Sequence, residues 1–278
     1  MAVVLALLTA VVYGSADFLG GKATRHVSAI GVTFVGQIFG IAVLALATLV
    51  SDLPAPPASD WAWSALAGVL GSTGLVVFYR AMSSGHMTVA APTAAVTGAV
   101  VPIIAGLSMG ERPSLTTLGA MPVAVVAIAL ISDILGPGHH RAPARTVMLA
   151  VLGGSLFGFV FVALHQTTPD SGVWPVFIMR MTSLPYLAVL LVATRSTVKG
   201  VRTHVTPTIG SGLLDSLANW LYVLAVREGL LSVVSVIVSL YPGTTMALAV
   251  GVDRERVHRS QVFGVVLAAI AVCVIALD

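Results

Sequence analysis

Long apolar runs and short polar connections alternate along the chain. Each apolar run is about 20 residues long, which at about 1.5 Å of rise per residue matches a hydrocarbon core of about 30 Å. The runs are continuous rather than alternating in polarity, which favours helices over the strands of a transmembrane barrel. The pattern therefore predicts an all-α integral membrane protein. Its ten predicted transmembrane helices cover residues 2–20, 28–50, 61–83, 88–109, 115–134, 146–166, 174–194, 207–227, 231–251 and 260–277.

The composition indicates that a lipid bilayer, rather than water, surrounds most of the chain and is its main partner. Of 278 residues, 57% are hydrophobic and 9% are charged, whereas about 25% are charged in a typical soluble protein. The basic residues form no run long enough to follow a phosphate backbone, so we expect no nucleic-acid partner. The single cysteine, Cys273, leaves no intrachain disulfide or thiolate metal site. The first apolar run has no basic residue before it, which favours a permanent helix over a cleaved signal peptide.

The chain repeats itself with an offset of 144 residues. Three pairs of segments match at this offset: Tyr13-Gly14 with Phe157-Gly158, Gly85 with Gly229, and Glu111-Arg112 with Glu255-Arg256. The predicted organisation is a five-helix repeat over 1–134, a linker over 135–145 and a second five-helix repeat over 146–278. Because five is odd, the second repeat should lie inverted relative to the first, which is a transporter architecture.

The basic residues predict a membrane orientation. The connections after helices 1, 3, 5, 7 and 9 hold eleven of them: Lys22, Arg25, Arg80, Arg141, Arg145, Arg195, Lys199, Arg202, Arg254, Arg256 and Arg259. The opposite side holds only Arg112 and Arg227. The positive-inside rule then places both termini outside the cytoplasm.

The two halves resemble the EamA-type members of the drug/metabolite transporter superfamily. The resemblance rests on the aromatic-Gly pair in the first helix of each half and on YRAMSSGHMTVAAPTAAVTGAVVPIIAGLSMGERPS and LAVREGLLSVVSVIVSLYPGTTMALAVGVDRERVHRS. It implies two inverted five-helix repeats, a central cavity lined mainly by helices 1, 3, 4, 6, 8 and 9, and export or exchange of metabolites, amino acids or drugs. It also implies cytoplasmic termini, opposite to the charge count. The second half has Asp253-Arg254-Glu255 in place of the Gly-Glu turn, which leaves the role of Glu255 open.

Three charged residues qualify as candidates for a position inside the membrane, where each costs about 2.5 to 3.5 kcal/mol or more unless it faces a cavity or a partner. They are Asp17, Arg180 and Asp215. Asp17 lies one turn beyond Tyr13 on the same face of helix 1. It is either a site for a proton or other cation, or a helix-end acid that reaches the interface beside Lys22.

A polar stripe on helix 8 is formed by Asp215, Asn219 and Tyr222 at positions i, i+4 and i+7. It either lines a cavity or forms a hydrogen-bonded seam between helices. Arg180 either binds a solute carboxylate or neutralises one of the two aspartates.

Aromatic and hydroxyl side chains complete the set of candidates. Phe157, Phe161 and Tyr241 either shape the solute pocket or pack between helices. Pro92, Pro102 and Pro242 interrupt the hydrogen bonding of corresponding helices in the two halves, which is typical of a transporter binding site. Nearby hydroxyls either bind solute or satisfy carbonyl groups that the prolines free: Thr93, Thr97, Ser235 and Ser239.

The function predicted from these features is secondary transport of a small solute by alternating access, coupled to a proton or ion. Motifs for a phosphate loop, a zinc protease and a serine nucleophile elbow are not found in the sequence. We therefore expect no catalytic activity and no cofactor or resident metal, in a multi-pass protein of a bacterial-type inner membrane, as a monomer or homodimer. A membrane-embedded enzyme on lipid-linked substrates and a non-transporting sensor or scaffold are the alternatives.

Overall fold

A computed structural model describes residues 1–51, 53–82, 87–131, 143–253 and 258–277. Within these ranges the chain forms α-helices joined by short connections, and no strand is found in them, so the predicted all-α class is confirmed for this part. The helices are α1 (Ala2–Thr24), α2 (Ala29–Val50), α3 (Ala58–Met82), α4 (Met87–Ser108), α5 (Leu115–Ile131), α6 (Ala144–His165), α7 (Trp174–Ala193), α8 (Val205–Arg227), α9 (Leu231–Val238), α10 (Tyr241–Asp253) and α11 (Arg259–Ala276).

Most of these helices have the length and composition of membrane spans. Eight spans meet that standard in the described ranges, and one of them joins α9 and α10 over Leu231–Val252. Thr93–Ser108 within α4 and the whole of α5 are apolar but shorter. Large apolar side chains face outward, such as Leu49, which is 79% exposed, and Val192, which is 76% exposed. An outer surface of this kind is stable only against lipid, so the protein is a multi-pass membrane protein.

The ninth predicted helix is broken in two. The amide of Ser239 still donates to the carbonyl of Ser235, but the amide of Leu240 donates to Ile237, three residues back. Pro242 then contributes no N–H to the following turn. The equivalent helix α4 runs on without a break through Pro102. The interruption expected in both halves therefore occurs in the second half alone.

The two halves interleave rather than lying side by side. Helix α1 packs along α8 and α10, and its repeat equivalent α6 packs along α3 and α4. Helix α2 packs on α7, and α5 packs on α11. When each helix is replaced by its equivalent in the other half, the same pairs of neighbouring helices are obtained. The most extensive helix packing is thus formed between the halves, and the interior of the protein lies along that seam.

The aromatic-Gly pairs of the repeat make equivalent contacts. A Cβ atom on Gly14 would lie 2.6 Å from Cβ of Thr244 in α10, and one on Gly158 would lie 2.6 Å from Cβ of Val101 in α4. Only glycine permits two helices to approach this closely. The first helix of each half is therefore held against the broken or proline-containing helix of the other half.

Candidate functional site

A central cavity lies on the seam between the two halves. It encloses about 640 Å³ of empty space, including the part that is open to solvent. Helices α1, α3 and α4 of the first half and α6 to α8 and α10 of the second contribute to its walls. The predicted site residues that line it are Tyr13, Asp17, Phe157, Phe161, Arg180, Asp215, Asn219, Ser239 and Tyr241.

Three predicted site residues do not line this cavity. The Thr97 hydroxyl donates to the carbonyl of Thr93 at 2.8 Å, so these residues of α4 bond within their own helix. The ring of Tyr222 stacks on Phe161 with centroids 4.3 Å apart, and its hydroxyl donates to the carbonyl of Phe161 at 3.1 Å. Tyr222 also pairs with Ser235 at 3.2 Å, so it belongs to a seam of hydrogen bonds behind the cavity wall.

An ion pair forms part of the cavity wall. Nη2 of Arg180 donates to Oδ2 of Asp215 at 2.5 Å, and its Nε donates to the Ser216 hydroxyl at 3.2 Å. Arg180 is only 1% exposed. The side-chain amide of Asn219 donates to the backbone carbonyl of Asp215 at 2.7 Å, so the Asn219 side chain lies along α8. Arg180 is therefore paired within the protein and also faces the cavity, so both of its predicted roles remain compatible with the geometry.

Asp17 lies on the cavity without such a partner. Among the residues that the structure describes, no hydrogen bond or ion pair joins its carboxylate to another side chain. Lys22, on the same helix, places its ammonium group 5.1 Å from the ring centroid of Phe18. When Asp17, Asp215 and Arg180 are all ionised, two negative charges and one positive charge line the cavity, so its net charge is negative. A cavity of this kind attracts a cation or a proton.

Apolar groups form most of the remaining cavity wall. The rings of Tyr13 and Phe161 lie 6.2 Å apart, and Phe157 packs edge-on against Phe78 at 5.8 Å. Tyr241 reaches the cavity from the first turn of α10, so the helix break places it there. Sequence reasoning did not select the apolar and small lining residues, because nothing in their types separates them from ordinary core: Gly71, Leu75, Ala94, Gly98, Val160 and Met179.

Sequence reasoning also missed a network of polar residues at one end of the helix bundle. Asp60, which is 0% exposed, accepts hydrogen bonds from the amide of Thr168 at 3.0 Å, from its hydroxyl at 2.8 Å and from the Ser171 hydroxyl. Arg227 donates to the Thr168 carbonyl at 3.1 Å. We call this set the polar end. The only sequence signal for it was an acidic residue in the first turn of a helix.

The Gly-Glu turn of the first half belongs to the same end. The carboxylate of Glu111 accepts hydrogen bonds from the amides of Leu231 at 2.5 Å and Ser232 at 3.0 Å, at the N-terminus of α9. Gly110 permits the turn because its φ is +92°. The first half thus caps a helix of the second half. The corresponding residues Glu255 and Arg256, like His139 and His140 of the linker, lie outside the described residues.

The described residues include no group of three or more His, Cys, Asp or Glu side chains that could hold a metal ion.

Comparisons with known proteins agree with this architecture. A model of the EamA-like transporter family matches residues 1–133 and again residues 144–277. A solved structure titled "Crystal structure of protein" has 15% sequence identity, covers 99% of this chain and 96% of its own, and superposes with a TM-score of 0.81, which shows a shared fold. No curated protein matches the chain at a significant level. Because one family model matches both halves and nearly the whole sequence, the predicted resemblance is confirmed, and this chain belongs to the EamA-like transporter family.

Proposed function

We propose that this protein is a secondary transporter that moves a small solute across a bacterial-type inner membrane by alternating access. The observation that carries the proposal is the central cavity, which both halves line and whose charged groups belong to helices long and apolar enough to span a membrane. Ionisable groups inside a membrane are characteristic of solute and ion pathways. Membership of a transporter family supports the same conclusion.

The interleaved packing supports alternation between two states. The set of helix neighbours is unchanged when the equivalent helices of the halves are exchanged. If the halves are inverted in the membrane, exchanging their conformations converts an opening on one side into an opening on the other. The site then stays in place while access to it moves from one face of the membrane to the other.

The cavity favours a solute that carries an ammonium group on an apolar or aromatic body. The rings of Tyr13, Phe157 and Phe161 offer faces to such a body, and aromatic faces also attract cations. Arg180 is already neutralised by Asp215, so it has little charge left for a solute carboxylate. Asp17 is the charge that an ammonium group would neutralise.

Asp17 also explains how solute movement would be coupled to protons. A carboxyl group that holds a proton has lost the charge that binds an ammonium group. Proton and solute therefore exclude each other at Asp17, and each traverses the membrane only when the other has left. This mutual exclusion produces exchange of solute for protons.

Binding and flux measurements on the purified protein test the proposal. Benzyltrimethylammonium and benzenesulfonate have the same ring and opposite charges. We expect the cation, and not the anion, to raise the thermal stability of the protein in detergent, because a ligand stabilises the state it binds. In reconstituted vesicles we expect a pH gradient to drive uptake of the cation, and Asp17→Asn to remove the dependence on the gradient.

Two results would contradict the proposal. Equal stabilisation by the cation and the anion would show that the cavity does not select for positive charge. Proton-driven uptake that is unchanged in Asp17→Asn would exclude Asp17 from coupling.

A further inference from the structure

A second, smaller chamber adjoins the central cavity. It contains about 330 Å³ of empty space between α1, α2, α3 and α8, including the part that is open to solvent. The two spaces share three lining residues: Asp17, Leu75 and Asp215. Asp17 therefore lines both spaces, and none of the aromatic cavity residues Tyr13, Phe157 and Phe161 lines the smaller chamber.

The walls of this chamber differ chemically from those of the cavity. They include the hydroxyl groups of Thr33, Tyr79 and Ser211 and the carboxamide of Gln37. A Cβ atom on Gly20 would collide with the hydroxyl of Tyr79 and lie 2.8 Å from that of Ser211, so these two oxygens lie side by side next to α1. Polar groups buried between helices are costly unless they are hydrogen-bonded or hydrated.

Part of this polarity has no partner within the described protein. Gln37 is 3% exposed, and its amide oxygen accepts from Ser183, but within the described ranges its amide nitrogen has no hydrogen-bond acceptor. Thr33 is 5% exposed and donates to the carbonyl of Ala29 at 2.9 Å, which leaves its oxygen free to accept. A buried space with two to four such groups around each position is suited to ordered water.

We propose that the smaller chamber is a hydrated path by which protons reach and leave Asp17, separate from the path of the solute. This inference rests on the proposed function. In each transfer the O–H bond of the Asp17 carboxyl breaks, the proton moves to a chamber water to form hydronium, and the carboxylate remains. The reverse transfer protonates Asp17. The solute binds from the cavity, so proton and solute reach the same carboxylate from two different spaces.

Several other titratable or charged groups surround Asp17, and any of them could modify its protonation. They are Tyr13 on α1, Tyr79 on α3, Asp215 on α8, Tyr241 on α10, and Arg180 on α7, which is bonded to Asp215. The two polar residues that α2 contributes to the chamber, Thr33 and Gln37, are neutral. Substitutions on α2 therefore change the chamber without changing any charge near Asp17.

Two kinds of flux separate the proton path from the solute path. Uptake driven by a pH gradient requires protonation of Asp17, whereas exchange of labelled for unlabelled benzyltrimethylammonium at equal pH does not. The variants are Thr33→Val and Gln37→Leu, singly and together. We expect the double variant to lower gradient-driven uptake about tenfold and to leave exchange within about twofold of the wild-type rate.

Thr9→Val is the matched control for Thr33→Val. Thr9 is also buried, and its hydroxyl donates to the carbonyl of Leu5 at 2.7 Å in the same way, but it lines neither space. We expect it to leave both fluxes unchanged. Thermal unfolding of each purified variant establishes that it is folded.

The outcomes distinguish failure of this inference from failure of the proposed function. If gradient-driven uptake and exchange fall together in folded variants, or if neither falls, the chamber is not a separate proton path. If the wild-type protein shows neither gradient-driven uptake nor exchange, the proposed function itself fails.

Discussion

Asp60 and Asp17 are both acids within the helix bundle, but their surroundings differ. Asp60, at the polar end, accepts hydrogen bonds from three donors on Thr168 and Ser171. Asp17, on the central cavity, has no hydrogen bond or ion pair among the described residues. A satisfied carboxylate is part of the framework, whereas an unsatisfied one retains the capacity to bind a proton or a cation. Burial of a charge alone therefore does not identify a functional residue, and its partners have to be known.

The comparison extends to the other acids of the two regions. Asp215 resembles Asp60 because Arg180 neutralises it, and Glu111 resembles Asp60 because two backbone amides of α9 bind it. Asp17 is therefore the exception among these four acids.

The largest effect is expected for Arg180→Ala. It leaves Asp215, which is only 18% exposed, without its partner, and breaking a largely buried ion pair from one side costs about 3 kcal/mol or more. We expect the free energy of unfolding in mixed micelles to fall by that amount. The double variant Arg180→Met with Asp215→Leu should recover most of the loss, and failure to recover it would show that Arg180 stabilises the fold in another way.

Asp60→Ala should have the next largest effect. It leaves the amide of Thr168 without its acceptor and the hydroxyls of Thr168 and Ser171 with only each other, 2.7 Å apart, which we expect to lower the free energy of unfolding by about 2 kcal/mol. The control is Asp170→Ala, because Asp170 lies exposed in the same connection. Equal destabilisation by the two variants would contradict a structural role specific to Asp60.

Glu111→Gln should have a smaller effect. Glutamine keeps one acceptor for the amides of Leu231 and Ser232 but removes the negative charge at the N-terminus of α9, so we expect a loss of about 0.5 to 1 kcal/mol. Glu111→Ala removes both acceptors and should cost more. The order of the two variants in thermal unfolding checks the capping role.

Asp17→Asn should have the smallest effect on stability. Its carboxylate makes no hydrogen bond or ion pair with the described residues, so nothing is left unpaired, and we expect the free energy of unfolding to change by less than about 0.5 kcal/mol. A loss as large as that of Asp60→Ala would show that Asp17 is a framework residue as well.

The helical framework was largely predictable from sequence. Helices α6 and α7 begin and end within two residues of the predicted spans, because a continuous apolar run of membrane length permits little else. The break before Pro242 was also foreseeable, since proline removes a helical donor. The same argument predicted a break in α4, where none is found, because one lost hydrogen bond bends or breaks a helix only if the surrounding packing permits it.

The candidate site was predictable where a residue type is costly in lipid, and not elsewhere. Asp17, Arg180 and Asp215 could be selected because charges in a membrane need a reason to be there. Tyr222 was selected by the same polarity, yet it lies behind Phe161 and bonds to its carbonyl. Thr33 and Gln37 were not selected, because they carry no charge, although their i, i+4 spacing places them on one face of α2.

The sequence by itself determined that the chain is helical, lies in a membrane and consists of two related halves, because apolar length, charge density and internal repetition are properties of the linear chain. Only the tertiary structure decided which polar groups meet. The pairing of Arg180 with Asp215, the three donors around Asp60 and the two spaces that share Asp17 all depend on how helices distant in sequence pack together. Hydrogen bonds form over a few ångströms in space, and separation along the chain does not specify that distance.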